Sequence, residues 1–362
     1  MKVVIYANSF LPDTGGGEKY NYDLARNLSL AGDDVTVITP VKCYVKDNYN
    51  FKVIRICGRQ IFSFIKVFQQ IRKIKPDLVH ISGPTEIDYF LFPMIKVLNL
   101  PVILTYHADF PSIMGRVYNN FIGIFQHFFN YVMVQSKNDK QKLTERGVSA
   151  EKILNFPFNG IDPEKYRIIE PHRIRDIDLI FVGRMDKAHN YKGYWELLEI
   201  LTKMADETSC TLSVYIVGGG SDLPKFRYEA TARKLNISVF EDVTDEQLVE
   251  FLNRSKFLIL PSISTSEGFG RTVLEAIYCG AIPIVSRFAG SHELVKELNC
   301  GIIIDPRDIN KTSKEICSFL QDNDAILEKR KNVYEIIAKK LFSISWTVNM
   351  TREVYYKVLK QR

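Results

Sequence analysis

Short apolar runs alternate with amphipathic stretches along this chain, and the alternation is played through twice. Val3–Tyr6, Val35–Ile38, Lys52–Ile56, Asp77–Ile81, Val102–Thr105 and Tyr131–Val134 read as strands. Between them Glu18–Ala31, Gln60–Lys75, Ile87–Leu98, Pro111–Asn130 and Lys137–Arg146 read as helices. A polar stretch, Glu164–Arg175, has the composition of a hinge. The series then restarts with strands at Leu179–Val182, Leu212–Val217, Ile237–Phe240, Phe257–Leu260, Ile282–Val285 and Ile302–Ile304, and is helical from Asn310 onward. Strands that are apolar throughout, rather than every second residue, belong to parallel sheets covered on both faces. The expectation is an α/β chain of two Rossmann-like domains, 1–165 and 166–344, a division that 362 residues accommodate comfortably.

Chemistry concentrates in Pro261–Ala281, PSISTSEGFGRTVLEAIYCGA. A strand ends at Leu260, a loop of serines and glycines follows, and Arg271–Cys279 is helical until Gly280 stops it. Glu267 and Glu275 stand eight positions apart around that turn. Amide N–H groups of Gly270–Val273 at the helix start suit the phosphates of a nucleotide, with the carboxylates taking hydroxyls around it. Two glutamates on an ordinary surface helix would give the same spacing.

Other candidates follow strand ends. Phe10–Glu18, FLPDTGGGE, brings Gly15, Gly16 and Gly17 after the first strand, where a backbone without Cβ atoms can approach a phosphate. It lacks the GxGxxG dinucleotide pattern. His107 and Asp109 lie in TYHADFP at the end of another strand, where open α/β sheets place ligands, although Asp109 equally suits a helix N-cap. Arg184, after FVG, and Lys192, before a helix, make a fork and a point charge for a diphosphate. Lys187 is an alternative to Lys192. Asp176-Ile-Asp178 has the DxD form of a metal motif but opens a buried strand, and is read as a solvated strand start.

Taken together, FLPDTGGGE, TYHADFP, NGID (159–162), VGR with KG (192–193), GGG (218–220) and SEGFGRTVLEA resemble the retaining glycosyltransferases of family four. That resemblance implies the GT-B fold: two facing Rossmann-like domains, with a C-terminal helix (345–362) crossing back to the N-terminal acceptor domain. It implies transfer from a nucleotide diphosphate sugar, without metal or other cofactor, to a hydroxyl on a saccharide or lipid-linked saccharide. Arg184, Lys192, Thr272 and Val273 would meet the donor phosphates, joined by Gly16 and Gly17. Glu267 would fix the sugar, with the main chain of Gly268, Phe269 and Gly270. Glu275, Val243 and Gly218 would receive the nucleoside, and His107, Glu267 and Asp109 would be catalytic. Glu18 and Asp13 would face the acceptor. Arg271 stands where small or apolar residues are common in the family, and would reach toward a charged donor sugar or acceptor.

Composition narrows the partners. The net charge is +6, and Lys42–Lys75 holds nine basic residues against the single acid Asp47. This suits an anionic partner, and a phospholipid surface or lipid-linked diphosphate better than nucleic acid. Helix Gln60–Lys75 is either a sheet cover with solvated charges or a peripheral membrane contact, and the aromatics of Pro111–Asn130 suit either core packing or a lipid tail. Six cysteines without metal spacing read as reduced thiols of a cytoplasmic protein. No apolar run spans a bilayer, and MKVVIYANSF is too short a run for a signal peptide. Two other classes stay in view: a NAD-dependent dehydrogenase, and a non-catalytic protein that binds nucleotide sugars or polyanions. Oligomeric state, donor base and sugar are not legible.

Overall fold

The strand β1 (Lys2–Ala7), KVVIYA, is fully enclosed from Val3 onward, and the first sheet is built outward from it. In the computed structural model of the chain, the described residues are 1–13, 15–41, 47–56, 63–83, 86–107, 113–156, 158–170, 174–208 and 212–361. They divide into two units, residues 1–160 with 342–362, and residues 161–341.

The first unit runs β1, α1 (Gly16–Leu30), β2 (Asp34–Thr39), β3 (Lys52–Arg55), α2 (Ser63–Ile74), β4 (Leu78–Gly83), α3 (Glu86–Val97), β5 (Val102–Tyr106), α4 (Ile113–Phe125), β6 (Tyr131–Val134), α5 (Lys137–Glu145) and β7 (Ile153–Asn155). All strands are parallel, in the order β3-β2-β1-β4-β5-β6-β7. Alternate side chains serve alternate faces. Val3, Ile5 and Ala7 pack with Tyr20, Leu24 and Leu28 of α1, whereas Val4 and Tyr6 join Val67 and Ile71 of α2 on the other side.

The second unit runs β8 (Ile177–Val182), α6 (Tyr194–Thr208), β9 (Val214–Val217), α7 (Leu223–Ala232), β10 (Ile237–Phe240), α8 (Asp245–Arg254), β11 (Ser255–Leu260), α9 (Thr272–Tyr278), β12 (Ile282–Ser286), α10 (Ser291–Glu297), β13 (Ile302–Ile304), α11 (Ile309–Gln321) and α12 (Asn323–Ala338). Its strands are also parallel, in the order β10-β9-β8-β11-β12-β13. The α/β reading is borne out by both sheets. In each, strand order reverses at one place, between β1 and β4 and between β8 and β11. Loops leaving the carboxyl ends of strands at such a reversal diverge, and ligands of this fold class bind there.

The last helix, α13 (Ile344–Lys360), belongs to the first unit. Its Ile344, Val348, Val354, Tyr355 and Val358 complete the core beneath α1. Arg352 Nε lies 3.0 Å from the buried Asp33, whose other oxygen takes the Met1 amino group at 2.9 Å. Gly160 allows this approach: a Cβ there would stand 2.3 Å from Thr347 Oγ1.

Three details depart from the sequence reading. Strand β7 is only three residues long, too short to stand out as a periodic run. Gly16 and Gly17 form the first turn of α1 instead of a loop, at an end where glycine costs a helix little. The polar stretch read as a hinge is held to the second unit over its described residues. Asn253 exchanges hydrogen bonds with Arg167 O and Ile169 N, and the Arg175 guanidinium donates to Leu252 O, Ser255 O and Cys279 O. The starts of helices Gln60–Lys75 and Pro111–Asn130 lie outside the described residues.

Candidate active site

In the second unit the carboxyl edge of the sheet collects the predicted donor residues. Gly183 and Arg184 follow β8, Gly218 follows β9, Val243 lies between β10 and α8, and the 261–270 loop follows β11. The backbone crossings are too close for side chains at Gly193, Gly218 and Gly220. Gly193 has φ +71°, and a Cβ on it would stand 1.9 Å from Pro261 O; on Gly218, φ +141°, it would stand 2.1 Å from Gly183 O. The Ile263 N–H donates to Tyr191 O at 2.8 Å, which joins the two loops.

That registration places Lys192 against Glu267. Lys192 Nζ donates to Glu267 Oε2 at 2.9 Å, and Ser262 Oγ donates to the same oxygen at 3.3 Å. Burial alone would push the Lys192 ammonium down, but Glu267 and Tyr191 outweigh it and hold it above the ordinary lysine value. Lys187, the alternative to Lys192, begins the intervening 3-10 turn Lys187–Lys192. His189 is engaged there with the N-capping Asp186.

Gly268 O and Phe269 O accept from Gly290 N and Ser291 N, which ties the glycine turn to the start of α10. Gly270, at φ +78°, turns the chain into α9. The Val273 N–H, expected to face a phosphate, donates to Gly270 O at 2.9 Å in this structure. Thr272 is the first residue of α9. Arg271, expected to reach toward a charged sugar or acceptor, lies beside Glu275 in this structure. It is 7% exposed, and its Nε lies 3.6 Å from Glu275 Oε1, one helical turn on. Glu275 is 4% exposed and also influences Tyr166, whose hydroxyl is held well above its usual range, first by burial and then by this carboxylate.

In the first unit His107 follows β5. Its Nε2 and Ser82 Oγ are 2.9 Å apart, and the Tyr20 and Phe158 rings enclose it edge-on at 4.9 and 5.5 Å. Desolvation pushes its imidazole down to about 4, so it is neutral at physiological pH. Behind it lies a buried chain that the sequence did not reveal. His80 bonds Tyr355 OH through Nδ1 and Thr105 Oγ1 through Nε2, and Tyr20 OH stands 3.3 Å from Thr105 Oγ1. A lone histidine in the apolar run LVHIS carries no signal of partners 25 and 275 positions away. Gly16 has open space around its Cα, whereas the Glu18 carboxylate folds over Gly15. Asp13 lies in the loop before α1, and Asp109 falls outside the described residues.

The DxD pair is engaged at the amino end of β8, the sheet edge opposite the donor residues. Arg254 Nε donates to Asp176 at 3.0 Å and Lys256 Nζ to Asp178 at 2.8 Å. No cluster of potential metal ligands occurs among the described residues.

Comparison with known proteins shows the family and the fold. The sequence model of the family described as Glycosyl transferases group 1 matches residues 162–340, and that of Glycosyltransferase Family 4 matches residues 14–165. An uncharacterised glycosyltransferase of Methanocaldococcus jannaschii is 21% identical over 100% of this chain and 98% of its own. A GDP-mannose:cellobiosyl-diphosphopolyprenol alpha-mannosyltransferase of Xanthomonas oryzae is 26% identical over 90% of this chain and 89% of its own. Among solved structures, a glycosyltransferase from Rickettsia africae superposes with TM-score 0.80 at 19% identity, covering 100% of this chain and 99% of that one. Anabaena HepE in complex with UDP gives 0.80 at 16% identity, over 99% and 100% of the two chains. Their common fold is GT-B.

Proposed function

The chain belongs to the family-four, group 1 glycosyltransferases, and from that premise we propose that it is a retaining enzyme drawing on a nucleotide diphosphate sugar. The observation that carries the reading is the Lys192–Glu267 pair on the edge that also holds Arg184, Gly218 and Glu275. A diphosphate leaving group needs concentrated positive charge, and Arg184 and Lys192 supply it with the turn at Thr272–Val273, so no metal is required. Glu267 and the main chain of Gly268–Gly270 take the sugar hydroxyls, and donor binding transfers Lys192 from Glu267 to phosphate. Glu275, held by Arg271, takes the ribose, and Gly218 and Val243 border the base.

On the first unit, His107 and Asp109 serve the acceptor and Gly16–Gly17 the donor phosphates. A neutral imidazole suits hydrogen bonding to a hydroxyl. The cations and amide donors gather at the diphosphate, and the departing phosphate takes the acceptor proton in a same-face reaction.

The acceptor is read as a saccharide or lipid-linked saccharide of surface polysaccharide or glycolipid assembly. The Xanthomonas relative's name specifies a diphosphopolyprenol-linked acceptor. Exposed Ile65, Phe90, Phe121 and Ile124 on α2, α3 and α4 favour a peripheral membrane contact, with exposed Lys66, Arg72 and Lys73 on α2. No helix among the described residues is long and apolar enough to cross a bilayer.

The test is thermal unfolding with UDP, GDP, ADP and NAD, with and without magnesium. A ligand at a hundredfold excess over its Kd adds roughly 2.7 kcal/mol. One nucleoside diphosphate should stabilise the protein irrespective of magnesium, and Glu275→Ala should abolish the shift. Stabilisation by NAD alone would sink the reading in favour of a dehydrogenase.

A further inference from the structure

An opening unrelated to these residues lies at the other edge of the first sheet. A cavity of about 530 Å³ is bounded by the end of α3, the turn before β6, the turn at 150–152 before β7 and the end of α13. It adjoins the amino ends of β5, β6 and β7, whereas His107 follows the carboxyl end of β5. Five residues at 3.3 Å each put roughly 16 Å of strand between the two.

Its lining is cationic. Lys96, Lys152 and Lys357 line it, with Glu151 the one carboxylate among the described residues. Lys152 is fixed in place: its Nζ donates to Gln126 O at 2.5 Å and Phe129 O at 3.1 Å, which leaves one of three N–H donors for the cavity. Lys357 Nζ sits 4.5 Å from the centroid of the Tyr131 ring, and Gln361 Nε2 lies 3.4 Å from Tyr131 OH. The Lys152 ammonium is pushed below the ordinary lysine value, chiefly by burial and then by Lys96, with Glu151 opposing. Lys96 and Lys152 raise each other's free energy, and an anion beside them would relieve it, with Lys357 lining the same opening.

We propose that this cavity binds an organic phosphate ester, its phosphate held by Lys96, Lys152 and Lys357 and its organic part against Phe128 and Tyr131. The volume is that of a small-molecule site and exceeds what inorganic phosphate would fill. Lysines suit phosphate as point charges, and the aromatic wall gives the ester its apolar contact. The phosphate belongs either to a soluble ester or to a phosphoglycerol lipid headgroup. Val97, 82% exposed beside Lys96, and Ile124, 64% exposed two residues before the turn that lines the opening, stand on elements bordering it.

Glycerol phosphate titrated calorimetrically into the full chain, with nucleoside diphosphate titrated separately, tests this. Saturable binding is expected, weakened at least tenfold in Lys96→Gln/Lys357→Gln and weaker at high salt. Both substituted lysines are exposed, so the variant should fold, with an unchanged Tm as the check, and its nucleoside diphosphate affinity should stay within twofold. Because that second titration reads the donor site alone, failure here is separable from failure of the function proposed above. Cosedimentation with phosphatidylglycerol–phosphatidylcholine vesicles, against phosphatidylcholine alone, identifies the source. Lysine-dependent binding to the anionic vesicles assigns a headgroup, and binding of glycerol phosphate without vesicle binding assigns a soluble ester. No saturable binding by the wild type to either, or an unchanged affinity in the double variant, overturns the proposal.

Discussion

Lys192 and Glu267, seventy-five residues apart, meet at 2.9 Å because their two loops share the Ile263–Tyr191 hydrogen bond. Both side chains are largely shielded, so losing one leaves the other charge uncompensated. Lys192→Met should therefore destabilise the second unit by about 3 kcal/mol, whereas Lys192→Met/Glu267→Leu should recover most of it. Urea unfolding of the two variants checks this. In a donor-hydrolysis assay Glu267→Gln should lower kcat by about 10²–10³ with little change in nucleoside diphosphate affinity.

His80 and His107 give the stability an acid limb. Their imidazoles are pushed down, to about 3 and about 4, below the value near 6.5 of an unfolded histidine. The unfolded chain thus binds more protons between pH 6.5 and those values. Stability is full above pH 6.5 and falls as pH drops through the window, His80 alone contributing roughly 1.4 kcal/mol per pH unit once well inside it. Urea midpoints at pH 7, 6 and 5 should decline, and less steeply in His107→Gln. A flat profile would refute the assignment of neutral, desolvated rings.

Ser82 Oγ is hydrogen-bonded to the His107 imidazole. Ser82→Ala removes one hydrogen bond, worth about 1 kcal/mol, and should lower kcat about fivefold while KM for the donor stays near wild type. Ser82→Thr should restore the rate. A matching loss of both parameters with a lowered Tm would mark Ser82 as structural only.

Two glycines should separate packing from ligand approach. Gly193→Ala, at φ +71° and against Pro261 O, should cost more than about 2 kcal/mol in thermal unfolding. Gly16→Ala meets nothing within 4 Å and should leave the Tm unchanged or raised. If Gly16 borders the donor phosphates, that same variant should weaken donor binding.

What the sequence revealed follows from how local each signal is. Val3–Tyr6 and Phe257–Leu260 are apolar throughout and announce buried parallel strands, and SEGFGRTVLEA carries its turn, its helix start and its two glutamates within one segment. The partners of those residues are another matter. That Lys192 meets Glu267, that Arg271 folds back on Glu275, and that His80 joins Tyr355 to Thr105 all depend on the tertiary packing of distant segments. Glycines at 16 and 17 suggested a loop because glycine is a poor helix former in isolation, yet a first turn accepts them.

The placement of α13 has a consequence for synthesis. On the ribosome the stretch 161–341 emerges as a complete folding unit, while the stretch begun first still waits for residues 342–362. Until they arrive, Tyr20, Leu24 and Leu28 lack their cover, His80 lacks its phenol and Asp33 its guanidinium. The half translated earliest is thus the half matured last, and a nascent chain stalled anywhere before Ile344 presents an open apolar face to chaperones.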